Sequence, residues 1–292
     1  MALSIHTNYS SLVTQTNLSK TNNALGTNQQ RLGTGLRINS AADDAAGLQI
    51  ATRLNAQSRG MEVAIRNTGD ATSMLQTAEG AFNEMTDILQ RMKDLATQSA
   101  NGTNAQADRD ALQAEFDELG KELANIMTNT GYAGEKLFGL DGSTGKFGAA
   151  AVDFQIGATT AEKLTLDVTT ASAALGTTLD GLSSNYTTPG TAGTEIASAA
   201  GANTMIDTIA SALDDVGSLR AQFGANINRL NHTNNNLANM KDNTDMAKGR
   251  IMDADFAKER ANMTKNSMLM QSGISMHKQA GQMPGMVMSL LG

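Results

Sequence analysis

The sequence predicts a mainly α-helical protein, with a bundle of long helices, a small β-hairpin region and a two-helix coiled-coil domain formed by the two ends of the chain. Three observations indicate this class. Only two prolines occur in 292 residues, and long helices require that scarcity. Apolar residues recur at helical spacing over long stretches. Aromatic residues make up only 3% of the chain and tryptophan is absent, which argues against a large globular core.

The bundle is predicted from three helical patterns. The strongest runs from Met74 to Ala96, where the apolar stripe is wide enough to contact two neighbouring helices. A break at Asn101-Gly102 precedes a second pattern over residues 112–126, so these two helices are expected to pack antiparallel. A third long helix is predicted over residues 203–246 and should fill the groove left by the first two.

Between the second and third helices the pattern changes from helix to strand. Residues 152–156 and 164–168 alternate between apolar and polar, which predicts a half-buried β-hairpin. Residues 176–202 are mostly Gly, Ser, Thr and Ala, with Pro189, and contain too few apolar side chains to become ordered alone. The predicted central domain therefore consists of residues 41–175 and 203–250, with residues 176–202 as a variable surface loop or tip.

The two chain ends, residues 1–40 and 251–292, are predicted to form an inner coiled-coil domain. The first end carries a net charge of +3 and the second +1, which leaves −11 for the middle of a chain whose net charge is −7. Each end has a narrow apolar stripe with seven-residue spacing, and such a stripe needs a partner. Ten of the 17 Met lie at or after Met240, and Met suits adaptable packing better than a metal or cofactor site. The predicted assembly residues are Leu18, Leu25, Leu32, Phe256, Met263, Met270, Ile274, Leu290 and Leu291.

Residues that carry enzyme chemistry are scattered or missing. His6, His232 and His277 are far apart, and the chain has no cysteine. We therefore predict no enzyme activity, no cofactor and no metal site. Basic residues do not cluster and no run of about eighteen apolar residues occurs, so neither a nucleic-acid nor a membrane partner is expected. The start of the chain lacks the pattern of a cleaved signal peptide.

Residues 31–47 read RLGTGLRINSAADDAAG, and this run resembles the amino-terminal signature of bacterial flagellins. The likeness extends through roughly the first 170 residues and the last 90. It implies a subunit that is exported unfolded by the flagellar type III apparatus and polymerises outside the cell into the flagellar filament. The two ends of the chain, residues 1–40 and 251–292, are here called the arms and are expected to be disordered in the monomer. The resemblance also implies a flagellar export chaperone that binds the C-terminal arm, and contacts with the hook-junction and cap proteins. Because only residues 176–202 separate the hairpin region from the third helix, we expect a short form without large outer domains.

Two alternatives stay open at this point. A hook–filament junction protein shares the same pattern at its chain ends but assembles into a short ring. A soluble helical adaptor domain would also contain a three-helix bundle, but it would not need apolar stripes at both ends of the chain.

The stretch LQRMKDLATQSANGTN resembles the part of many flagellins that innate immune receptors of vertebrates recognise. The resemblance carries over to Leu89, Gln90, Arg91 and Leu95, and to Glu115 on the next helix. The two leucines also belong to the apolar stripes of the bundle, so a purely structural role is open for them. The planar guanidinium of Arg91 is expected to extend outward and bind a partner.

Overall fold

The computed structural model describes residues 8–188 and 190–291, except for the side chains of residues 283, 284 and 286–291. The helices are α1 (Tyr9–Thr34), α2 (Ala45–Ser99), α3 (Gln106–Asn129), α4 (Gly145–Ala149), α5 (Thr169–Asp180), α6 (Ser184–Thr187), α7 (Ala199–Met252) and α8 (Phe256–Leu291). The strands are β1 (Gly131–Tyr132), β2 (Glu135–Lys136), β3 (Val152–Gln155) and β4 (Lys163–Leu166). β1 pairs with β2, and β3 with β4, both antiparallel. The predicted mainly α class is confirmed.

Helix α2 is much longer than its apolar pattern, and α7 extends slightly beyond its predicted bounds. α2 has 55 residues, whereas strong periodicity covers only residues 74–96, and α7 has 54 residues against the predicted 203–246. The added turns contain mostly small and polar residues, which form no wide apolar stripe. Apolar periodicity therefore located the buried part of each helix and missed the rest.

The chain divides into two compact units, residues 1–58 with 242–292 and residues 59–241. We call them the terminal unit and the bundle unit. The terminal unit includes more of the chain than the predicted residues 1–40 and 251–292, because polar contacts continue between the start of α2 and the end of α7. Ser58 Oγ donates to Asp245 Oδ1 at 2.9 Å, and Lys248 Nζ donates to Asn55 Oδ1 at 3.5 Å.

The core of the bundle unit is built around four phenylalanines from four parts of the chain. Phe82 lies on α2, Phe138 follows β2, Phe147 lies on α4 and Phe223 on α7, and all are buried. The ring centroids of Phe82 and Phe138 are 4.9 Å apart, and those of Phe147 and Phe223 are 5.1 Å apart. The predicted α2 stripe surrounds this cluster, and its buried members are Leu75, Ala78, Phe82, Met85, Leu89, Met92 and Ala96.

The predicted hairpin is present as β3 and β4. Val152 lies opposite Leu166 and Phe154 opposite Leu164, so the apolar positions share one face. Leu164 and Leu166 are buried in the core of the bundle unit, whereas the intervening residues are polar and exposed. The alternating pattern therefore predicted both the strands and the face that packs.

Residues 176–202, expected to be a surface loop or tip, pack against the bundle in the structure. Residues 176–180 complete α5, and Leu182, Tyr186 and Ile196 are buried. Tyr186 Oη donates to the Leu140 carbonyl at 2.7 Å, and burial raises the pKa of this hydroxyl, so it stays protonated. The low apolar content suggested disorder, but each large apolar residue occupies a buried position. Pro189 lies outside the described residues.

Residues 183–198, which we call the strap, are held on α3 by a polar network. The half-buried carboxylate of Glu195 accepts hydrogen bonds from the Ser184 amide at 2.7 Å, from Ser184 Oγ at 2.8 Å and from Gln113 Nε2 at 2.7 Å. The Gln113 side-chain oxygen accepts from the Ile196 amide at 2.7 Å. Polar groups of the strap therefore form hydrogen bonds with α3. These bonds stabilise a segment that has few apolar side chains to bury.

We expect the Glu195→Gln variant to lose part of the pH dependence of stability. Burial raises the pKa of Glu195, but the hydrogen bonds from Ser184 and Gln113 outweigh it, so the pKa lies below its usual value. A lowered folded-state pKa stabilises the fold above the unfolded-state pKa, which is about 4.3, and the contribution is lost as the pH falls through the folded value. Urea unfolding of parent and variant across that acidic range measures the difference.

A matched control is Glu118→Gln, which alters an exposed carboxylate of α3 that pairs with Lys121 at 2.6 Å. The free energy of unfolding of this control should depend on pH in the same way as that of the parent. If Glu195→Gln also shows the parent's loss of stability on acidification, the strap is not held by this carboxylate.

Candidate assembly surfaces

Helices α1 and α8 of the terminal unit pack together antiparallel. The N-cap residue Asn8 donates from Nδ2 to the Ala280 carbonyl at 2.7 Å near one end, and Arg31 Nη1 lies 3.3 Å from Glu259 Oε1 near the other. The predicted pairing of the two chain ends is confirmed. The predicted interface residues that are half-buried in this pair are Leu18, Leu25, Leu32, Met263 and Met270.

A buried polar network joins the two helices near the start of α8. Glu259 is only 7% exposed, and its carboxylate accepts hydrogen bonds from Asn28 Nδ2 and from Arg31. Asn266 Nδ2 donates in turn to Asn28 Oδ1 at 2.9 Å. The carboxylate also lies in the first turn of α8, where the helix dipole favours negative charge. The network therefore satisfies a buried charge that would otherwise destabilise the pair.

Apolar periodicity did not predict this network, although the sequence contains a signal for it. Asn28 lies between Leu25 and Leu32 at spacings of three and four, so it shares their stripe. A polar residue inside an apolar stripe indicates a specific polar partner, and Glu259 is that partner.

The flagellin-like signature forms the junction at the end of α1. Gly35 ends the helix with φ of 73°, a left-handed conformation that glycine adopts without strain. The Arg37 guanidinium donates from Nε and Nη2 to the Ile251 carbonyl at 3.2 and 2.8 Å, and the Ala254 amide donates to the Gly35 carbonyl at 2.9 Å. These bonds connect the chain leaving α1 to the chain leaving α7, so both arms start from one fixed point.

The two aspartates of the signature stabilise the turn that follows. Asp43 accepts hydrogen bonds from the amides of Asn39 and Ser40 at 3.0 and 2.9 Å, and these bonds lower its pKa below the usual value. Asp44 Oδ1 accepts from the Gly47 amide at 2.8 Å at the start of α2. Asp44 therefore caps the helix, while Asp43 closes the preceding turn.

The arms of the terminal unit leave large apolar side chains in solvent. Two of the predicted assembly residues, Phe256 and Ile274, are 57% and 53% exposed, and the side chains of Leu290 and Leu291 lie outside the described residues. Among the described side chains of α1 and α8, the other exposed large apolar residues are Tyr9, Leu12, Val13, Met268, Leu269 and Met276. Exposed large apolar side chains on both helices indicate that the arms offer an interaction surface.

The predicted receptor-contact residues fall into two sets in the bundle unit. Leu89 and Leu95 are 0% and 1% exposed, so in the folded bundle both side chains belong to the core. Gln90, Arg91 and Glu115 are exposed. Arg91 donates from Nε and Nη2 to Glu115 Oε1 at 2.8 and 2.6 Å, so its guanidinium bridges α2 and α3 instead of standing free. Of the five predicted receptor-contact residues, the three polar ones are therefore exposed and the two leucines are buried.

Within the part of the chain that the structure describes, no three His, Cys, Asp or Glu side chains come close enough together to hold a metal ion. His232 and His277 lie on different helices, and His6 is outside the described residues. None of the described helices has both the length and the apolar content to cross a membrane.

Long packed helices with paired, apolar chain ends define a structural subunit that assembles with other protein chains. The family model for the bacterial flagellin N-terminal helical region matches residues 5–142, and that for the bacterial flagellin C-terminal helical region matches residues 206–291. The chain therefore belongs to the bacterial flagellin family.

Individual relatives agree with the family models. Flagellin A of Vibrio anguillarum is 36% identical over 385 residues, and polar flagellin C of Vibrio parahaemolyticus is 35% identical over 390 residues, each alignment spanning 100% of both chains. These alignments are longer than this 292-residue chain, so the relatives contain insertions that it lacks. The solved structure of a putative flagellar hook-associated protein from Vibrio parahaemolyticus shares the fold, with a TM-score of 0.56, 14% identity and coverage of 72% of this chain and 100% of that one.

Members of this family are structural proteins, not enzymes. They polymerise with copies of themselves into the flagellar filament, an extracellular structure that drives motility. The terminal unit and the bundle unit are therefore parts of a filament subunit.

Proposed function

We propose that this chain is a short flagellin whose terminal unit drives polymerisation, with α1 and α8 becoming fully ordered only when subunits assemble. The observation that carries the proposal is the exposed apolar surface of the α1–α8 pair, which includes Phe256 and Ile274. Stacked copies would bury this surface, and that burial would offset the entropy lost when the arms become ordered. The shorter central part of the chain would make the filament thin and smooth.

Seeded growth tests the proposal. Purified protein is mixed with short filament fragments and examined by electron microscopy. Long polymers are expected from a filament subunit, short rings or single layers from a junction protein, and no growth from a soluble adaptor domain. Absence of elongation in conditions where the seeds remain intact would contradict the proposal.

The same terminal unit suits export in an unfolded state. The chain has no cysteine, so no disulfide can form before or during passage through the flagellar type III apparatus. Exposed Met268, Leu269 and Met276 on α8 give an export chaperone an apolar surface to cover before assembly. After export, the arms would contact the hook-junction and cap proteins as well as other subunits.

The exposed residues Gln90, Arg91 and Glu115 are proposed as the contact for an innate immune flagellin receptor, with Leu89 and Leu95 holding α2 in place from the core. We expect Arg91→Ala to weaken signalling by the monomer about tenfold, because a truncated Arg anchor typically costs more than about 1 kcal/mol of binding. The intact filament should signal poorly if neighbouring subunits cover this surface. A reporter-cell assay over a range of protein concentrations measures both effects.

Arg66→Ala is the matched control, because Arg66 forms a comparable exposed pair with Glu62 at 3.2 Å on the same helix. Exposed pairs contribute at most about 1 kcal/mol to stability, so both variants should stay folded. Equal signalling from folded Arg91→Ala and Arg66→Ala monomers would remove Arg91 from the receptor contact.

A further inference from the structure

Methionines are distributed unequally between core and surface. Five methionines of the bundle unit are at most 8% exposed: Met61, Met74, Met85, Met92 and Met127. On α8, by contrast, Met268 and Met276 are each 61% exposed. Thioether sulfur is readily oxidised where an oxidant can reach it, so exposure decides which methionines react.

Met268 and Met276 lie on the side of α8 that faces away from α1. They are eight residues apart, which places them about 80° apart around a helix, and Leu269 falls beside them. Met263 and Met270, which are half-buried, lie on the opposite side with the α1 contacts. Met268, Leu269 and Met276 therefore form one exposed apolar face, which we call the outer face of α8.

We infer that Met268 and Met276 are an oxidation-sensitive site that controls whether a free subunit can add to a filament. The inference rests on the proposed function, in which a second copy of this chain covers the outer face of α8. Hydrogen peroxide transfers one oxygen atom to the sulfur. The O–O bond breaks, an S=O bond forms, the sulfur is oxidised by two electrons and the peroxide is reduced to water.

The product changes the chemistry of the outer face. A sulfoxide is polar and accepts hydrogen bonds, so burying it against apolar side chains of another subunit leaves the oxygen unpaired. Oxidised subunits should therefore elongate filaments at least tenfold more slowly. Treatment with both methionine sulfoxide reductases and a dithiol, which supplies the two electrons and two protons that release the oxygen as water, should restore elongation, since together the enzymes reduce both sulfoxide epimers. Assembled filaments should resist oxidation at these positions because the face is covered.

The first test uses only the parent protein. Purified full-length chain is treated with peroxide to partial oxidation and offered to filament seeds, and the incorporated and free subunits are then separated and digested. Peptide mass spectrometry should find sulfoxide at Met268 and Met276 enriched in the free subunits. Equal sulfoxide at these positions in the two fractions would overturn the inference.

The second test uses Met268→Leu/Met276→Leu, which keeps the face apolar with little change in volume. The double variant should elongate equally fast with and without peroxide treatment, whatever its own untreated rate is. Met246→Leu is the control, because Met246 on α7 is 56% exposed but lies outside α8, and this variant should stay as sensitive as the parent. If the double variant is inhibited like the parent, or if the control is protected, Met268 and Met276 are not the site.

A failure of the proposed function can be distinguished from a failure of the oxidation-sensitive site. If untreated parent protein does not elongate seeds at all, the chain is not a filament subunit under those conditions and the proposed function fails. If untreated protein elongates and oxidised protein elongates equally well, only the oxidation-sensitive site is wrong.

Discussion

Removal of residues 251–292 is expected to leave a folded, soluble bundle that no longer adds to filaments, and removal of residues 1–40 is expected to do the same. The bundle unit, residues 59–241, contains the four-phenylalanine core and needs neither arm to bury it. Without one arm, the other loses its antiparallel partner, and an isolated helix with a narrow apolar stripe is marginal in water. Filament growth should be abolished in both cases, while circular dichroism should still show the helices of the bundle unit.

Circular dichroism and electron microscopy of the two truncated proteins check this result. The full-length chain, mixed with the same seeds, is the positive control. Fibres from either truncated protein would show that the α1–α8 pair is not required for assembly.

Phe82→Ala is expected to cost about 3–5 kcal/mol of folding free energy, the usual range for a fully buried phenylalanine. Phe82 is 0% exposed, and its ring lies 4.9 Å from that of Phe138 and 5.7 Å from that of Phe223. The substitution therefore removes ring contacts that join α2, α7 and the segment after β2. Urea unfolding followed by circular dichroism measures the change.

Phe256→Ala provides a matched control with the same substitution at a residue that is 57% exposed. Exposed positions usually change stability by no more than about 0.5 kcal/mol, so the control should unfold like the parent. Because Phe256 is a proposed assembly residue, the control should instead slow seeded growth. Similar losses of stability in the two variants would contradict the assignment of Phe82 to the core and Phe256 to the assembly surface.

The sequence predicted the helices and strands wherever apolar side chains repeat at a regular spacing. The stripe around Phe82 on α2 and the alternation of Leu164 and Leu166 in β4 each indicated the element and its buried face. The order within residues 176–202 was not predicted, because Gln113 donates a hydrogen bond to Glu195 and accepts one from the Ile196 amide, and no local periodicity reveals such partners. Composition estimates how much apolar surface a segment can bury, but it does not identify distant polar partners.

For the α1–α8 pair, the sequence predicted the apolar contacts but not the polar network. Heptad spacing identified Leu18 and Met270 as residues of the terminal helix pair, and both are half-buried there. The bond from Asn28 to Glu259 joins residues 231 positions apart, so only the fold brings them together. Family resemblance transferred Leu89 and Leu95 as receptor contacts, although their spacing already placed them on core stripes. For these leucines, periodicity was the better guide to burial.

Assembly through the terminal helix pair is tested most directly by amide hydrogen exchange, measured on the same protein before and after polymerisation. In the described part of α1, Asn28 is the one buried residue, so few contacts oppose local opening in the free subunit. Amides of α1 and α8 are expected to exchange rapidly in the monomer and at least a hundredfold more slowly in the filament, while amides of α2 between residues 74 and 96 stay protected in both. Equal exchange of α1 and α8 in monomer and filament would contradict assembly through these helices.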